Sequence, residues 1–240
     1  MLVVAPTASF IVTIDGPAGT GKSTVAHRLA QRLGLEFLDT GAMYRAAALC
    51  ALERGMDPAD GPRVAALVRE LDIRFDWRSS PPQLLVNGVG VGERIRTPEV
   101  TRAVSAVASN PLVRSEMVVA QRAIAAGHPR LVTEGRDQGS VVFPDADVRI
   151  YLDAAPEIRA RRRVEQLRAK GIEAQESDVL AQILERDARD SSRRDGPLVC
   201  PDGADVVDTS GIDVDEVIDR LESIVRLRAR EALGASGFRR

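Results

Sequence analysis

One run of eight residues constrains this chain more than anything else in it. Gly16-Pro17-Ala18-Gly19-Thr20-Gly21-Lys22-Ser23 fits G-x-x-x-x-G-K-[ST] in full. The preceding Phe10-Ile11-Val12-Thr13-Ile14 is short, apolar and β-branched, the pattern of a strand buried on both faces. After the run, Val25, Ala26, Leu29, Ala30 and Leu33 recur at helical spacing, and Gly34 supplies a stop. Glycines there let backbone N–H groups point inward at a helix N-terminus, whose dipole favours an anion. The expectation is a P-loop: Gly16, Pro17, Ala18, Gly19, Thr20, Gly21, Lys22, Ser23 and Thr24 around a nucleoside triphosphate. Lys22 would meet the β- and γ-phosphates, and the Ser23 hydroxyl would ligate Mg²⁺. Of the 33 cationic residues, Lys22 and Lys170 are the two lysines, so a lysine-dependent motif has two places to sit.

The rest of the chain supplies a frame for that loop. Leu35–Leu38, Leu131–Thr133, Val148–Leu152 and Asp205–Asp208 read as further short strands. Helical patterns run from Asp39 or Thr40 to about Arg54, then over Pro98–Ser109, Pro111–Ala126, Pro156–Lys170, Ser177–Ser192 and Val214–Arg230. Strands alternating with helices predict a doubly wound α/β fold with a parallel sheet, of the P-loop NTPase type. Between 72 and 93 the texture changes. Ile73–Trp77 alternates, and Gln83–Val86 leads into Asn87-Gly88, a hairpin signal that predicts a small β-rich insertion with Phe75, Trp77 and Leu85 as its core. The predicted division is an extension over 1–9 and a single domain over 10–240. That domain has a core at 10–71, 94–158 and 194–232, the insertion at 72–93 and a helical lid at about 159–193. The lid stretch is strongly charged and has few apolar residues to hold it down, so mobility without ligand is expected there. Gly234–Arg240 reads as a frayed tail.

Composition removes several function classes. No apolar run approaches the roughly 18 residues that cross a bilayer, and the N-terminus has no basic region before its short apolar stretch. The expectation is a cytoplasmic protein with no membrane partner. Cys50 and Cys200 are far apart and in no metal-like spacing, which excludes a disulfide scaffold. A net charge of −2 gives no global support for nucleic-acid binding, and Arg161-Arg162-Arg163 reads as part of the lid. His27 and His128 carry no catalytic expectation.

A P-loop can serve a switch, a motor or a kinase. A GTP switch reads guanine with Asn-Lys-x-Asp, but Lys22 follows Gly21 and Lys170 follows Ala169. A motor ATPase needs an apolar strand ending in an acid. Val148–Leu152 before Asp153 imitates that, with Asp153 a secondary metal candidate, yet no further motor motif accompanies it. A small kinase needs an arginine-rich pocket for the acceptor phosphate and the moving phosphoryl group. Arg45 one turn into a helix after the second strand, Arg136 after the Leu131 strand, and Arg186, Arg189 and Arg193 at i, i+3, i+7 would form it.

With those residues assembled, the chain resembles the bacterial cytidylate kinases. The resemblance rests on Gly16–Thr24, Asp39–Arg45, Ile95-Arg96-Thr97 with Glu99-Val100, and Glu185–Arg193. Its most specific block is Gly135-Arg136-Asp137 with Gly139-Ser140-Val141-Val142-Phe143-Pro144. It covers about residues 10–230 in order. What it implies is phosphoryl transfer from ATP, with Mg²⁺, to CMP or dCMP, by a monomer that takes small-molecule substrates and no nucleic acid. On that resemblance Lys22, Arg136, Arg186 and Arg193 are the catalytic set, and Arg45, Arg136 and Arg193 neutralise the acceptor phosphate. Ser105, Arg114 and Asp137 would read cytosine, and Arg186 with Asp190 the ribose. Thr40 stands where some members have Ser and keeps the hydroxyl. Another small P-loop kinase with AMP or shikimate as acceptor, or an ATP-binding regulator without turnover, remain the alternatives.

Overall fold

The computed structural model describes residues 9–169 and 171–237, so Lys170 and most of the expected extension lie outside the described residues. The chain divides into two compact units, Met1–Leu35 with Val132–Arg240, and Glu36–Leu131.

The first unit is built on parallel strands. Strands β1 (Phe10–Asp15), β6 (Arg130–Gly135), β7 (Val148–Asp153) and β8 (Asp205–Asp208) lie in the order β6-β1-β7-β8. β1 runs parallel to β7, with Val12 opposite Val148 and Ile14 opposite Ile150, and β7 runs parallel to β8. Val12, Ile14, Leu131, Val132, Ile150, Leu152 and Val207 have no exposed surface, so the sheet is apolar at its centre. Helix α1 (Lys22–Leu33) buries Val25, Ala26, Leu29, Ala30 and Leu33 and ends at Gly34, whose left-handed φ of 66° caps it. Helix α8 (Val214–Gly237) packs on α1, with surface ion pairs Arg28–Asp215 and Arg32–Asp219 along the seam. It runs beyond the expected end at Arg230; residues 238–240 of the expected tail lie outside the described residues.

The stretch expected as a lid forms α6 (Pro156–Arg168) and α7 (Glu176–Ser191). Its apolar residues pack against one another within the stretch. Ala160, Val179 and Ile183 are buried together, with Val164, Leu167, Ala174 and Leu180 around them, so the two helices share a core of their own. Those residues are spaced between arginines, and the dominant charge masks them in the sequence.

The second unit holds β2 (Glu36–Asp39), α2 (Thr40–Glu53), α3 (Gly61–Glu70), β3 (Ile73–Asp76), β4 (Gln83–Val86), β5 (Val89–Gly90), α4 (Pro98–Ser109) and α5 (Pro111–Gly127). β3, β4 and β5 form an antiparallel sheet turned at Asn87-Gly88, where both residues have positive φ. Ile73 pairs with Val86 and Phe75 with Leu84, and these four are buried. The core of this sheet is therefore Phe75 with Leu84 rather than Leu85, because the pairing register turns Leu85 to the other face. Trp77 is half-buried, 5.5 Å from the Phe75 ring and stacked at 4.2 Å on His128, whose Nδ1 lies 2.8 Å from Glu36 Oε2. Among the described residues no helix is long and apolar enough to cross a membrane.

Candidate active site

The first unit assembles a phosphate-binding loop at the C-terminal end of β1. Gly16, Gly19 and Gly21 have φ of 147°, 86° and 88°, conformations that L-residues with a side chain rarely adopt. Gly16 is also fixed by space, since a Cβ there would stand 2.0 Å from the Leu152 carbonyl oxygen of β7. No side-chain rotation relieves a Cβ clash with backbone. Gly16→Ala should therefore cost about 3 kcal/mol or more and lower Tm by roughly 6–12 °C. A thermal melt within about 2 °C of wild type would contradict this account of the loop.

Lys22 opens α1 and is only 4% exposed. Its ammonium donates to the Pro17 carbonyl at 2.6 Å and to Thr20 Oγ1 at 3.4 Å, so it sits inside the loop. Burial and the neighbouring Arg136 guanidinium press its proton affinity well below the usual lysine range; Glu134 opposes them. A buried ammonium so placed gains most from an anion entering the loop.

Ser23 Oγ donates to Glu134 Oε1 at 2.8 Å. Glu134, buried near the end of β6, is thus the acid that faces the loop hydroxyl. The secondary candidate Asp153 does not: it is exposed, and its Oδ1 accepts from the next amide, Ala154 N, at 2.9 Å. Ser23 and Glu134 offer hard oxygen donors, which suit Mg²⁺. Among the described residues no three His, Cys, Asp or Glu side chains could hold a metal together, so triphosphate oxygens and water would complete its shell.

An arginine cluster in the same unit is organised by one acid. Asp190, on the last turn of α7, is buried; its Oδ2 accepts from Arg136 Nε at 3.0 Å, and Arg193 Nη2 donates to its Oδ1. Arg186 Nε stands 3.9 Å from the same carboxylate. Burial alone would raise the Asp190 pKa, but the Arg136, Arg193 and Arg186 charges outweigh it and hold the group below the usual range. Arg189, expected on the same stripe, is exposed and pairs with Glu185, and Arg193 lies beyond the helix end. The cluster is thus a hub around Asp190, not a helical stripe. A further arginine has no motif to mark it in the sequence. Arg159 is buried; Nη1 donates to Asp187 Oδ2 at 2.5 Å and to the Ala18 carbonyl at 3.0 Å, tying α6 and α7 to the phosphate loop. The neighbouring triplet is engaged as well, with Arg161 on Glu176, Arg162 on Thr209 and Arg163 on Gln166.

Asp137 follows Arg136 and is 3% exposed. Its carbonyl accepts from Val141 N and Val142 N, opening a π-helical turn over Gln138–Val142. Such turns recur at functional sites.

The remaining expected residues belong to the second unit. Thr40 starts α2 and is buried, beside Asp39, whose Oδ1 caps the helix by accepting from Ala42 N. Arg45 Nη1 donates to Thr101 Oγ1 at 3.1 Å and to the Ile95 carbonyl at 3.4 Å. That explains the Ile95-Arg96-Thr97 block: Ile95 is buried and accepts from Arg45, and Thr97 caps α4. Arg114 is buried on α5, 5.9 Å from the Tyr44 ring centroid. Ser105 is half-buried on α4.

The cytidylate kinase family model matches residues 12–227, a span that contains every one of these positions. The chain belongs to that family. A cytidylate kinase of Corynebacterium glutamicum is 44% identical over 227 residues, covering 95% of this chain and 99% of its own. One from Rhodococcus opacus is 48% identical over 223 residues, covering 93% and 97%. A crystal structure of an uncharacterized protein from Eubacterium ventriosum shares the fold with a TM-score of 0.50 at 15% identity, covering 91% of this chain and 98% of that one. Within that span the chain places a glycine loop in left-handed backbone conformations and an arginine cluster around the buried Asp190 carboxylate.

Proposed function

We propose that this chain transfers the γ-phosphoryl group of ATP to CMP and dCMP, releasing ADP and the nucleoside diphosphate. The observation that carries the reading is the Asp190 hub. It holds Arg136 and Arg193 as hydrogen-bonded cations, with Arg136 and Arg186 near enough to Lys22 to depress its proton affinity. Cations gathered at this density serve two polyanions better than one.

Phosphoryl transfer asks the protein mainly for positioning and charge stabilisation. Loop amides and Lys22 would cradle the donor phosphates. Ser23 and Glu134 would hold Mg²⁺, which supplies neutralisation of the β- and γ-oxygens. An oxygen of the acceptor phosphate forms the new bond to the γ-phosphorus as the bond to the ADP oxygen breaks, and Arg136, Arg186 and Arg193 offset the negative charge. Thr40, Arg45, Arg136 and Arg193 are assigned to the acceptor phosphate, and Arg186 with Asp190 to the ribose. Asp190 can add a hydroxyl donor because a carboxylate has about four acceptor sites, and its arginines occupy part of them. Ser105, Arg114 and Asp137 are assigned to cytosine, whose N4 amino group donates while N3 and O2 accept.

The test is ADP release with CMP, dCMP, UMP, AMP and shikimate in parallel. The expected result is turnover with CMP and dCMP at a kcat/KM at least about 100-fold above AMP and shikimate. Preference for AMP or shikimate would reassign the acceptor, and no turnover with any would favour an ATP-binding regulator.

A further inference from the structure

We propose that Asp15 is a positioning residue for the acceptor: from the end of the strand that delivers the phosphate loop, its carboxylate sets the backbone that carries Arg136 and Asp137. Asp15 Oδ1 accepts from Gln138 N at 2.8 Å and Oδ2 from Gly139 N at 2.7 Å. These amides open the π-helical turn, where a helix has N–H groups without intrahelical acceptors. One carboxylate takes both, so the residues just before them, Arg136 and Asp137, are held from β1. The fit leaves little freedom. Gln138 Oε1 accepts from Thr133 Oγ1 at 2.9 Å, and a Cβ on Gly139 would meet Thr13 Oγ1 at 2.8 Å and both Arg149 Cγ and Pro201 Cγ at 3.1 Å.

The arrangement is held at a cost, which separates it from a plain structural tie. Asp15 has no exposed surface, and burial pushes its pKa up to about 7. The Gly139 and Gln138 amides and the Lys22 charge pull it down, while Asp137 pushes it up. Tyr151 on β7 and Cys200 face it as well, and each is itself raised in part by the Asp15 charge. Ionised, Asp15 accepts two N–H bonds; protonated, it loses acceptor capacity and the turn loosens. The loop should therefore be best ordered above about pH 7 and lose order as pH falls through that value. The sign for stability is the reverse. A carboxyl with a raised folded pKa favours the fold below its unfolded value near 3.9, and that contribution is lost as pH rises towards about 7. Position is thus maintained against stability, as expected of a group serving function.

The inference rests on the assignment of Arg136 and Asp137 to the acceptor, so its test needs one readout independent of turnover. In Asp15→Asn the amide can accept one of the two N–H bonds but not both. Expected are a KM for CMP raised about tenfold or more and a KM for ATP within about twofold of wild type. Wild-type kcat/KM for CMP should fall below about pH 7, and the variant should lack that limb. Without substrates, the Gln138 and Gly139 amides should exchange faster in the variant. A variant with wild-type KM for CMP, pH profile and exchange would overturn the proposal, as would an equal rise in both KM values. If Asp15→Asn fails to fold, wild-type exchange decides: after correction for intrinsic rates, protection of those two amides must drop as pH falls through about 7, and flat protection overturns it. If the wild type does not phosphorylate CMP, the acceptor assignment fails by that result, while amide exchange still judges Asp15.

Discussion

Lys22→Ala should reduce kcat by about 10³-fold or more while leaving the protein folded. That loss corresponds to roughly 4 kcal/mol of transition-state stabilisation, the scale expected where charge placement does most of the catalysis. Retention of the fold follows from what the side chain touches. The Lys22 ammonium bonds to Pro17 O and Thr20 Oγ1 within the loop, and burial together with Arg136 already works against its charge. Removing an ammonium that the folded state disfavours should leave Tm at or slightly above the wild-type value. Steady-state kinetics with a thermal melt check both halves. A variant keeping more than about a tenth of wild-type kcat would contradict the role given to Lys22.

Asp137→Ala should lower kcat/KM for CMP by about 10³-fold or more and narrow the preference for CMP over UMP, with little change in the KM for ATP. Asp137 is buried, so a cytosine amino group that relied on its carboxylate would have no water to replace it. Sites that hydrogen-bond a polar substrate group discriminate by about 10⁴ or more because the mismatched complex strands buried groups. UMP carries a carbonyl at position 4, which a carboxylate repels, so losing the carboxylate removes a penalty against UMP as well as a bond to CMP. The turn itself should survive, since Asp137 contributes to it through its backbone carbonyl. An unchanged CMP:UMP ratio would show that Asp137 does not read the base.

Much of this was legible because local chemistry and tertiary structure agree. The loop glycines, the Asp39 cap and the Asn87-Gly88 turn each need a particular residue type at one position, so a single chain shows them. Helix α3 is absent from the helical patterns read in the sequence, where Asp57-Pro58 marks a break. The start signal lies just beyond it, where Asp60 Oδ1 accepts from Arg63 N and a proline sits in the first turn. The π-helical turn has no local signature at all; Asp15, 123 residues away, supplies an acceptor for the Gln138 amide. Glu134 and Asp15 could have been found. Each ends an apolar strand with an acid, the same pattern that drew attention to Asp153, but only burial distinguishes these two from the one that faces water. The arginines posed the opposite difficulty. With 33 cationic residues in the chain, spacing grouped Arg189 with Arg186 and Arg193, while the buried Asp190 selects Arg136, Arg186 and Arg193. One buried carboxylate decides which charges act together, and its partner Arg136, just after β6, is far away in sequence.

The most direct test follows the phosphoryl group itself. Wild-type protein is incubated with γ-labelled ATP, Mg²⁺ and CMP, and the labelled products are separated. The account predicts label in the β-phosphate of CDP, formed in step with ADP, and little label as free phosphate. Label released as inorganic phosphate with CMP unchanged would contradict it, because ATP would then be hydrolysed and no acceptor phosphorylated.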